Sequence, residues 1–173
     1  MMQFAGALFV LIAGTLIGYL QSARYAARPR QIRQLMHALQ RLETEIAYSQ
    51  TPLPEALGRI AKIVPPPLAQ LFAAIAASLA DNADHRTVRQ SWEQVITEGW
   101  ERTAMRRPER EALVRLGATL GVSERDDQIK HMRLAMHQLQ AEEASAREEQ
   151  QRYEKMSRSL GVLGAVLVVI LML

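Results

Sequence analysis

The chain has 173 residues, of which 49% are hydrophobic and only 5% aromatic, and its formal net charge is +3. Its many Ala, Leu, Gln, Arg and Glu residues favour helices over sheets. Because the sequence contains no cysteine, disulfides, thiolate metal sites and cysteine nucleophiles are excluded. The length suits one domain of ordinary size with a buried core.

The first segment is hydrophobic. Residues 1–23 contain no charged side chain, and those from Phe4 to Leu20 are strongly apolar. About 20 such residues span a bilayer as a helix. A cleaved signal peptide would need a positive start and a small-residue cleavage site, and neither is evident. The sequence therefore predicts an uncleaved N-terminal transmembrane helix at residues 1–23.

A basic run follows this segment. The arginines that precede the first acidic residue, Glu43, are Arg24, Arg28, Arg30, Arg33 and Arg41. Basic residues beside a hydrophobic segment are typical of the cytoplasmic face of a membrane. A nucleic-acid site is the alternative, but no aromatic side chains interleave these arginines. We therefore expect membrane lipid, and no nucleic acid, as a partner of this region.

Two helices are predicted next. Pro29 is expected to open the first, because its missing N–H costs nothing at the first helical position, and the apolar pattern continues to Tyr48. Thr51 predicts the N-cap of the second helix, with Pro52 at its first position. Prolines 65–67 end it, since a residue before proline is driven out of the helical region. The expected inward side chains are Ile32, Leu35, Met36, Leu39, Leu42, Ile46, Leu53, Ala56, Leu57, Ile60 and Val64.

Three more short helices precede Gly121. The third ends near Asp81, the fourth starts near Thr87, and the fifth follows a turn at residues 106–108. Gly121 is the expected stop of the fifth helix. Trp92 and Trp100 are interpreted as core or membrane-proximal anchors rather than as ligand-stacking residues. The expected inward side chains are Leu68, Leu71, Phe72, Ile75, Leu79, Val88, Trp92, Val95, Ile96, Trp100, Leu113, Leu116 and Leu120.

A long helix is predicted from Ser123. Ser123 is the expected N-cap, with Asp126 three residues later in a capping-box arrangement, and no Pro or Gly interrupts the chain until Gly161. Beyond Arg158 the chain carries no charge, which predicts a C-terminal hydrophobic membrane segment at residues 159–173. The apolar face of this helix contains Ile129, Met132, Met136 and Leu139, and Tyr153, Met156 and Leu160 resume it.

The predicted fold is all-α: a bundle of about six helices in a cytoplasmic domain at residues 24–158, between an N-terminal transmembrane helix and a short C-terminal hydrophobic helix. Arg152, Lys155 and Arg158 precede the tail, so both edges of the domain are basic and should face the cytoplasm. A tail of about 15 residues reaches roughly 22 Å, less than a hydrocarbon core of about 30 Å.

Small residues recur in both hydrophobic ends. Gly14 and Gly18 share one face of the first segment, while Gly161 and Ala165 share one face of the tail. Small side chains let transmembrane helices approach closely. We expect the two ends to pack against each other through these faces.

The sequence shows no pattern typical of catalysis. His131 follows Asp127 by four residues, but a metal site needs further ligands and the HExxH spacing is absent. The run from Gly117 to Gly121 lacks the Lys-Ser/Thr of a phosphate-binding loop. We therefore predict no catalytic, cofactor-binding or metal-binding residues, no cofactor, and a protein that is not an enzyme.

Charged residues cover the middle of the long helix. They are either a solvated face with helix-supporting pairs or a charged surface for another protein. This group consists of Glu142, Glu143, Arg147, Glu148, Glu149, Arg152 and Glu154.

Seven short runs, spread over nearly the whole chain, carry a family resemblance. They are Arg28–Leu35, Leu42–Ile46, Thr51–Leu53, Leu120–Gly121, Gln128–His131, Glu142–Glu143 and Glu154–Leu163. These runs resemble the stage III sporulation protein AB family of endospore-forming bacteria. The family's domain is similar to the cytoplasmic domains of inner-membrane platform proteins from type II secretion and type IV pilus systems.

The resemblance implies a component of the channel-like, secretion-type complex that links mother cell and forespore. The protein would sit in the membrane surrounding the forespore, with its helical domain in the mother-cell cytoplasm. Implied partners are the complex's own ATPase, stage III sporulation protein AA, and its other membrane components. We accordingly expect a non-enzymatic scaffold that couples this ATPase to the membrane components.

Three alternatives stay open. The nearest is an inner-membrane platform protein of a type II secretion or type IV pilus system, which would carry two copies of the helical domain. A small membrane enzyme using His131 and Asp127 is the second. The third is a receptor-like sensor whose helical domain binds a small ligand.

Overall fold

The computed structural model describes residues 26–49, 51–81, 86–121 and 123–172. These ranges contain helices and connecting turns and no strand, so the predicted all-α class is confirmed. The first helix, α1, occupies residues 26–48 of the described chain. The others are α2 (Leu53–Ala61), α3 (Leu68–Ala80), α4 (Val88–Gly99), a 3-10 turn (Trp100–Arg102), α5 (Arg107–Gly117) and α6 (Arg125–Met172).

The chain divides into two compact units. Arg28–Ala144 forms one unit, which we call the helical domain. It contains almost all of α1, the whole of α2 to α5, and the N-terminal part of α6. The described residues of the other unit are 26–27 and 145–172. The predicted N-terminal transmembrane helix at residues 1–23 lies outside the described residues. Within the described ranges, no helix has the length and apolar content that crossing a membrane requires.

The core of the helical domain follows the predicted periodicity. Every inward position predicted in α1 to α5 and the adjoining turns is buried or half-buried, because the 3.6-residue period places these side chains on one face of each helix. Complete burial of one large apolar side chain stabilises the fold by about 1.5–3 kcal/mol. The largest fully buried side chains are Trp92, Phe72, Ile32, Leu35, Leu39, Leu42, Leu57, Ile60, Leu68, Ile75, Ile96 and Leu113.

Both tryptophans belong to this core, as predicted by the first of the two interpretations. Trp92 is fully buried, and its indole N–H donates to the carbonyl of Leu113 over 2.9 Å. Trp100 is 7% exposed and donates to the carbonyl of Arg106 over 3.2 Å. Each indole thus satisfies its single donor inside the domain, as a buried tryptophan requires. The contact of Trp92 with Leu113 ties α4 to α5.

Three predicted helix starts are wrong in detail. Residues 26–28 are already helical, so Pro29 does not open α1; the buried ion pair of Arg28 described below holds this turn of the helix. Pro52, not Thr51, is the N-cap of α2. Pro54 in the first turn of α2 has no N–H, so the helix start has fewer donors that need a side-chain cap. The long helix α6 begins at Arg125, later than a cap at Ser123 requires.

The start of α4 agrees with the sequence, whereas the end of α5 does not. Thr87 caps α4 in a capping box, in which its hydroxyl accepts from the N–H of Gln90 and the Gln90 amide oxygen accepts from the N–H of Thr87. Gly121 has a φ of +79°, a left-handed conformation that side chains other than glycine rarely adopt. The predicted stop at Gly121 is misplaced, because α5 already ends at Gly117 and Gly121 closes the turn that follows it.

Gly117 of α5 gives the first testable prediction, because it lies against the ring of Trp92. A Cβ atom at Gly117 would lie 2.1 Å from Cδ1 of Trp92, which forces the indole or α5 to move. We expect Gly117→Ala to lower the free energy of unfolding by about 1–3 kcal/mol, the usual cost of overpacking a core. Urea denaturation of the chain in detergent, followed by circular dichroism, measures this change.

The matched control is Gly58→Ala in α2, where an added Cβ meets no neighbouring atom within 4 Å. This control should raise the free energy of unfolding by about 0.5–1 kcal/mol, because alanine favours the helix interior. Equal effects of the two substitutions would contradict the close packing of Trp92 against Gly117.

Candidate interaction surfaces

A buried ion-pair cluster joins three helices of the helical domain. The guanidinium of Arg28 donates to Oε1 of Glu109 from Nε over 2.9 Å and from Nη2 over 2.6 Å. Nη2 also donates to Oε2 of Glu142 over 3.1 Å. The side chain of Arg28 is 7% exposed, that of Glu109 is completely buried, and that of Glu142 is 32% exposed. We call these three residues the Arg28 cluster.

Glu109 is held from a second direction by the start of α5. Its Oε2 accepts from the backbone N–H of Arg106 over 2.8 Å. This is the capping position at which a carboxylate satisfies a free backbone donor and interacts favourably with the helix dipole. Both carboxylate oxygens of Glu109 are therefore hydrogen-bonded, which is what burial of a charge demands.

Two further ion pairs fix α1 against α6. Arg33 donates to Oε1 of Glu143 from Nε over 3.1 Å and from Nη2 over 2.8 Å. Arg133 donates from Nε to Oε1 of Glu43 over 2.7 Å. Arg33 near the start of α1 pairs with Glu143, whereas Glu43 near its end pairs with the earlier residue Arg133 of α6. The two helices are therefore antiparallel. The start of α1 in the domain and the last domain residues of α6 consequently lie at the same end of the helical domain.

The prediction for the charged middle of α6 is wrong at two positions. Glu142 and Glu143 are neither a solvated face nor a free surface for another protein, because they accept hydrogen bonds from Arg28 and Arg33 inside the domain. Arg147, Glu148 and Arg152 are exposed, as the solvated interpretation requires. Glu154 is half-buried, and its carboxylate accepts from the amide of Gln150 over 2.8 Å.

Glu109 is the buried charged residue that the sequence did not predict. Its partner Arg28 lies 81 positions away, and periodicity carries no information about contacts at that separation. One local signal was present, a glutamate three residues into the helix that starts after Arg106. Without a Ser, Thr, Asp or Asn at the cap, however, the usual capping-box signature was incomplete.

The histidine considered for chemistry has no site around it. His131 is exposed on α6, and Asp127 accepts from the ammonium of Lys130 over 3.2 Å. Over the ranges that the structure describes, no group of three or more His, Cys, Asp or Glu residues could hold a metal ion. The run from Gly117 to Gly121 forms the end of α5 and the turn after it, which is not the helix start that phosphate binding uses.

A groove of the helical domain lies between α5 and α6. It has a volume of about 480 Å³ and is open to solvent. Arg107 pairs with Glu111 over 2.7 Å, and Arg115 donates to Gln138 over 3.2 Å across it. These polar side chains satisfy one another along the groove walls, and the groove gathers no set of groups that suits a particular ligand.

An apolar stripe marks the part of α6 outside the helical domain. Tyr153 is 37% exposed, Met156 51%, Leu160 61% and Leu163 65%. At 100° per residue these four side chains lie within an arc of about 80° on the helix surface. Their apolar exposure increases along α6. We call this set the α6 stripe.

These observations first define a class: an all-α domain whose last helix continues beyond the domain and exposes an apolar stripe. The family is defined by comparison. Residues 3–173 match the family model of stage III sporulation protein AB. The chain belongs to the stage III sporulation protein AB family.

Two relatives show how far the similarity extends. Stage III sporulation protein AB of Bacillus subtilis (strain 168) is 40% identical over 173 residues, which is 100% of both chains. A solved structure of a stage III sporulation protein AB is also 40% identical and superimposes with a TM-score of 0.68 over 73% of this chain and 98% of its own. The resemblance inferred from short runs of the sequence is therefore confirmed.

The Arg28 cluster gives the second prediction. Arg28→Met removes the cation of the cluster and leaves the carboxylate of Glu109 buried beside an apolar side chain. Breaking a buried pair in this way costs about 3–5 kcal/mol. We expect a loss of this size in the free energy of unfolding, measured by urea denaturation of the full chain in detergent.

The control for this prediction is Arg107→Met, which removes an exposed pair with Glu111 whose side chains are 87% and 47% exposed. It should change the free energy of unfolding by no more than about 1 kcal/mol, as is usual for surface pairs. The double variant Arg28→Met, Glu109→Leu should recover part of the loss, because no charge then remains buried without its partner. Equal stability of the Arg28 and Arg107 variants would contradict the role given to the cluster.

Proposed function

We propose that this protein is a non-enzymatic membrane platform of the secretion-like sporulation complex that links mother cell and forespore. The observation that carries the proposal is the contact of Arg28 with Glu142, 3.1 Å long. It brings together the two points at which the chain leaves the helical domain towards its hydrophobic ends. Membership of the stage III sporulation protein AB family supports the assignment to sporulation.

In this proposal both hydrophobic ends enter one membrane from the same side. The predicted transmembrane helix at residues 1–23 is followed by arginines, and the tail at residues 159–173 is preceded by Arg152, Lys155 and Arg158. Basic residues on both flanks favour the cytoplasmic side. The helical domain then lies in the mother-cell cytoplasm, and the membrane is the one that surrounds the forespore.

The helical domain would serve as the docking point for the complex's ATPase, of the stage III sporulation protein AA type, and for its membrane components. A stable domain suits this role, because a scaffold must hold its partners at fixed positions. The core tryptophans and the Arg28 cluster supply that stability without any reactive group. The protein thus couples an energy-consuming partner to membrane parts through binding alone.

The third prediction concerns topology. A reporter inserted between α3 and α4 should report the cytoplasm, because basic flanks retain this domain on the cytoplasmic side. The same reporter placed before residue 1 should report the opposite side, because one transmembrane helix separates the two positions. Paired fusions to green fluorescent protein and alkaline phosphatase measure this. Phosphatase activity from the α3–α4 insertion would contradict the topology.

The fourth prediction concerns partners. Crosslinking and affinity capture of this chain should recover the ATPase and the membrane components of the sporulation complex. Sporulating Bacillus subtilis that expresses the chain in place of its own stage III AB protein provides the test. Capture of pilus or type II secretion components instead would favour the alternative platform role, and capture of neither set would contradict both.

A matched variant separates binding from catalysis. His131→Ala changes an exposed side chain on α6 and should leave both the captured partners and spore formation unchanged. Arg28→Met should reduce both, because it weakens the domain that presents the docking surfaces. Loss of spore formation by His131→Ala with its partners still captured would point to a chemical role and contradict the scaffold.

A further inference from the structure

The outward face of α1 carries positive charge along its length. Arg30, Arg33 and Arg41 are all exposed, and at 100° per residue they lie within an arc of about 80° on the helix surface. Arg30 and Arg41 are 11 residues apart, so they lie almost in line with the helix axis, separated by about 16 Å. We call these three residues the arginine face.

The helical domain does not neutralise the two ends of this face. Among the described contacts, the side chains of Arg30 and Arg41 form no ion pair and no hydrogen bond. The two acidic residues of α1 have cationic neighbours on other helices: Glu43 pairs with α6 over 2.7 Å, and Glu45 lies 3.6 Å from a guanidinium of α2. The charges of Arg30 and Arg41 therefore remain for a partner outside the domain.

The ion pairs between α1 and α6 also turn their positive members towards solvent. In the pair of Arg33 with Glu143, the arginine side chain is 48% exposed and the glutamate side chain 10%. In the pair of Arg133 with Glu43, the corresponding values are 66% and 16%. Each carboxylate thus lies beneath its guanidinium, and the surface that these pairs present to solvent is positive.

The excess of positive charge is local to this surface. The helical domain, Arg28–Ala144, contains 16 arginine and lysine residues and 15 aspartate and glutamate residues, which gives a net charge of +1. Nucleic acids attract proteins through a large positive excess, and single strands also stack their bases on aromatic side chains. The described part of α1 has no aromatic residue before Tyr48. A nucleic acid is therefore a poor fit to the arginine face.

The first helix also lacks what a helix at a membrane surface needs. Such a helix inserts an apolar face among the lipid chains. The apolar face of α1 is buried in the core of the domain, where Ile32, Leu35, Leu39 and Leu42 are all 0% exposed. No apolar helix face of α1 remains for lipid.

The residue types of the arginine face fit carboxylates of another protein. Over residues 26–48, α1 contains arginine but no lysine, and only the planar guanidinium can bind a carboxylate through two parallel hydrogen bonds. Tyr48 lies 18 residues after Arg30, on the same side of the helix, and is 88% exposed. Arginine and tyrosine are the residue types most enriched at the energetic centres of protein interfaces, together with tryptophan.

We propose that the arginine face of α1 binds an acidic segment of another protein, whose carboxylates pair with Arg30 and Arg41. The inference rests on the proposed function, because a platform requires protein partners. It identifies the surface of the helical domain that one of these partners contacts and the chemistry by which the partner is recognised.

Photocrosslinking from the middle of the arginine face tests this inference. Sporulating Bacillus subtilis expresses the full chain in place of its own stage III AB protein, with photoreactive benzoylphenylalanine in place of His37. His37 is exposed on α1 between Arg30 and Arg41. The control carries the same photoreactive residue in place of Thr97, which is exposed on α4. We expect a crosslinked protein from position 37 but not from position 97, and mass spectrometry should locate the crosslink in a segment rich in Asp and Glu.

Charge reversal determines whether the arginines make the contact. Arg30→Glu combined with Arg41→Glu should reduce the product from position 37 several-fold. The matched control, Arg89→Glu combined with Arg102→Glu, makes the same change in net charge at two exposed arginines outside α1 and should leave the product unchanged. Thermal unfolding of both double variants should match that of the parent, because no described ion pair involves these four side chains. Replacing the crosslinked carboxylates of the partner by arginine should restore the product with the Arg30→Glu, Arg41→Glu chain.

Four results would overturn the inference. They are the absence of a product from position 37, a product with lipid, nucleic acid or a second copy of the chain, equal losses in the two double variants, and a loss that charge reversal in the partner does not restore. If affinity capture still recovers the components of the sporulation complex in any of these cases, the platform proposal stands without this surface. Failure to capture those components would contradict the platform itself.

Discussion

The helical domain depends on one buried charge. Glu109 is completely enclosed, and an enclosed carboxylate is tolerable only if cations and donors surround it. Arg28 and the N–H of Arg106 supply those contacts, which forces the start of α1 and the start of α5 to meet. The same guanidinium also donates a hydrogen bond to Glu142. These hydrogen bonds join α1, α5 and α6 at one point. Apolar side chains could not do this, because they form no directional bonds.

Apolar burial and ion pairing have different roles in this fold. The buried leucines, isoleucines and aromatic residues provide most of the stabilisation, but the hydrophobic effect is non-directional and permits more than one arrangement of helices. The pairs Arg33–Glu143 and Arg133–Glu43 are directional, and they fix the antiparallel alignment of α1 and α6. That alignment determines that the chain enters and leaves the domain at the same end. The proposed membrane platform follows from this consequence rather than from the core itself.

The sequence predicted what is local and missed what is distant. The 3.6-residue period identified the inward faces of α1 to α5, because this signal resides within a few neighbouring residues. Glycine's conformational freedom indicated a turn at Gly121, although α5 itself ends at Gly117. The pairing of Arg33 with Glu143 spans 110 positions, so Glu143 was indistinguishable from the solvated glutamates of the same helix. The start of α1 was misplaced for a related reason: proline signals a helix start, but the helix already includes the turn before Pro29, where Arg28 pairs with the distant Glu109.

The helix α6 has two parts that differ in the side chains they expose. Within the domain, Met132 and Leu139 are fully buried and the neighbouring glutamates have fixed partners, so this part of α6 has a single register. Beyond the domain, Met156 and Leu160 are exposed and carry no directional group that selects one position over another. The ion pairs therefore fix the part of α6 that lies in the helical domain, and no such pair among the described contacts fixes the apolar side chains beyond it.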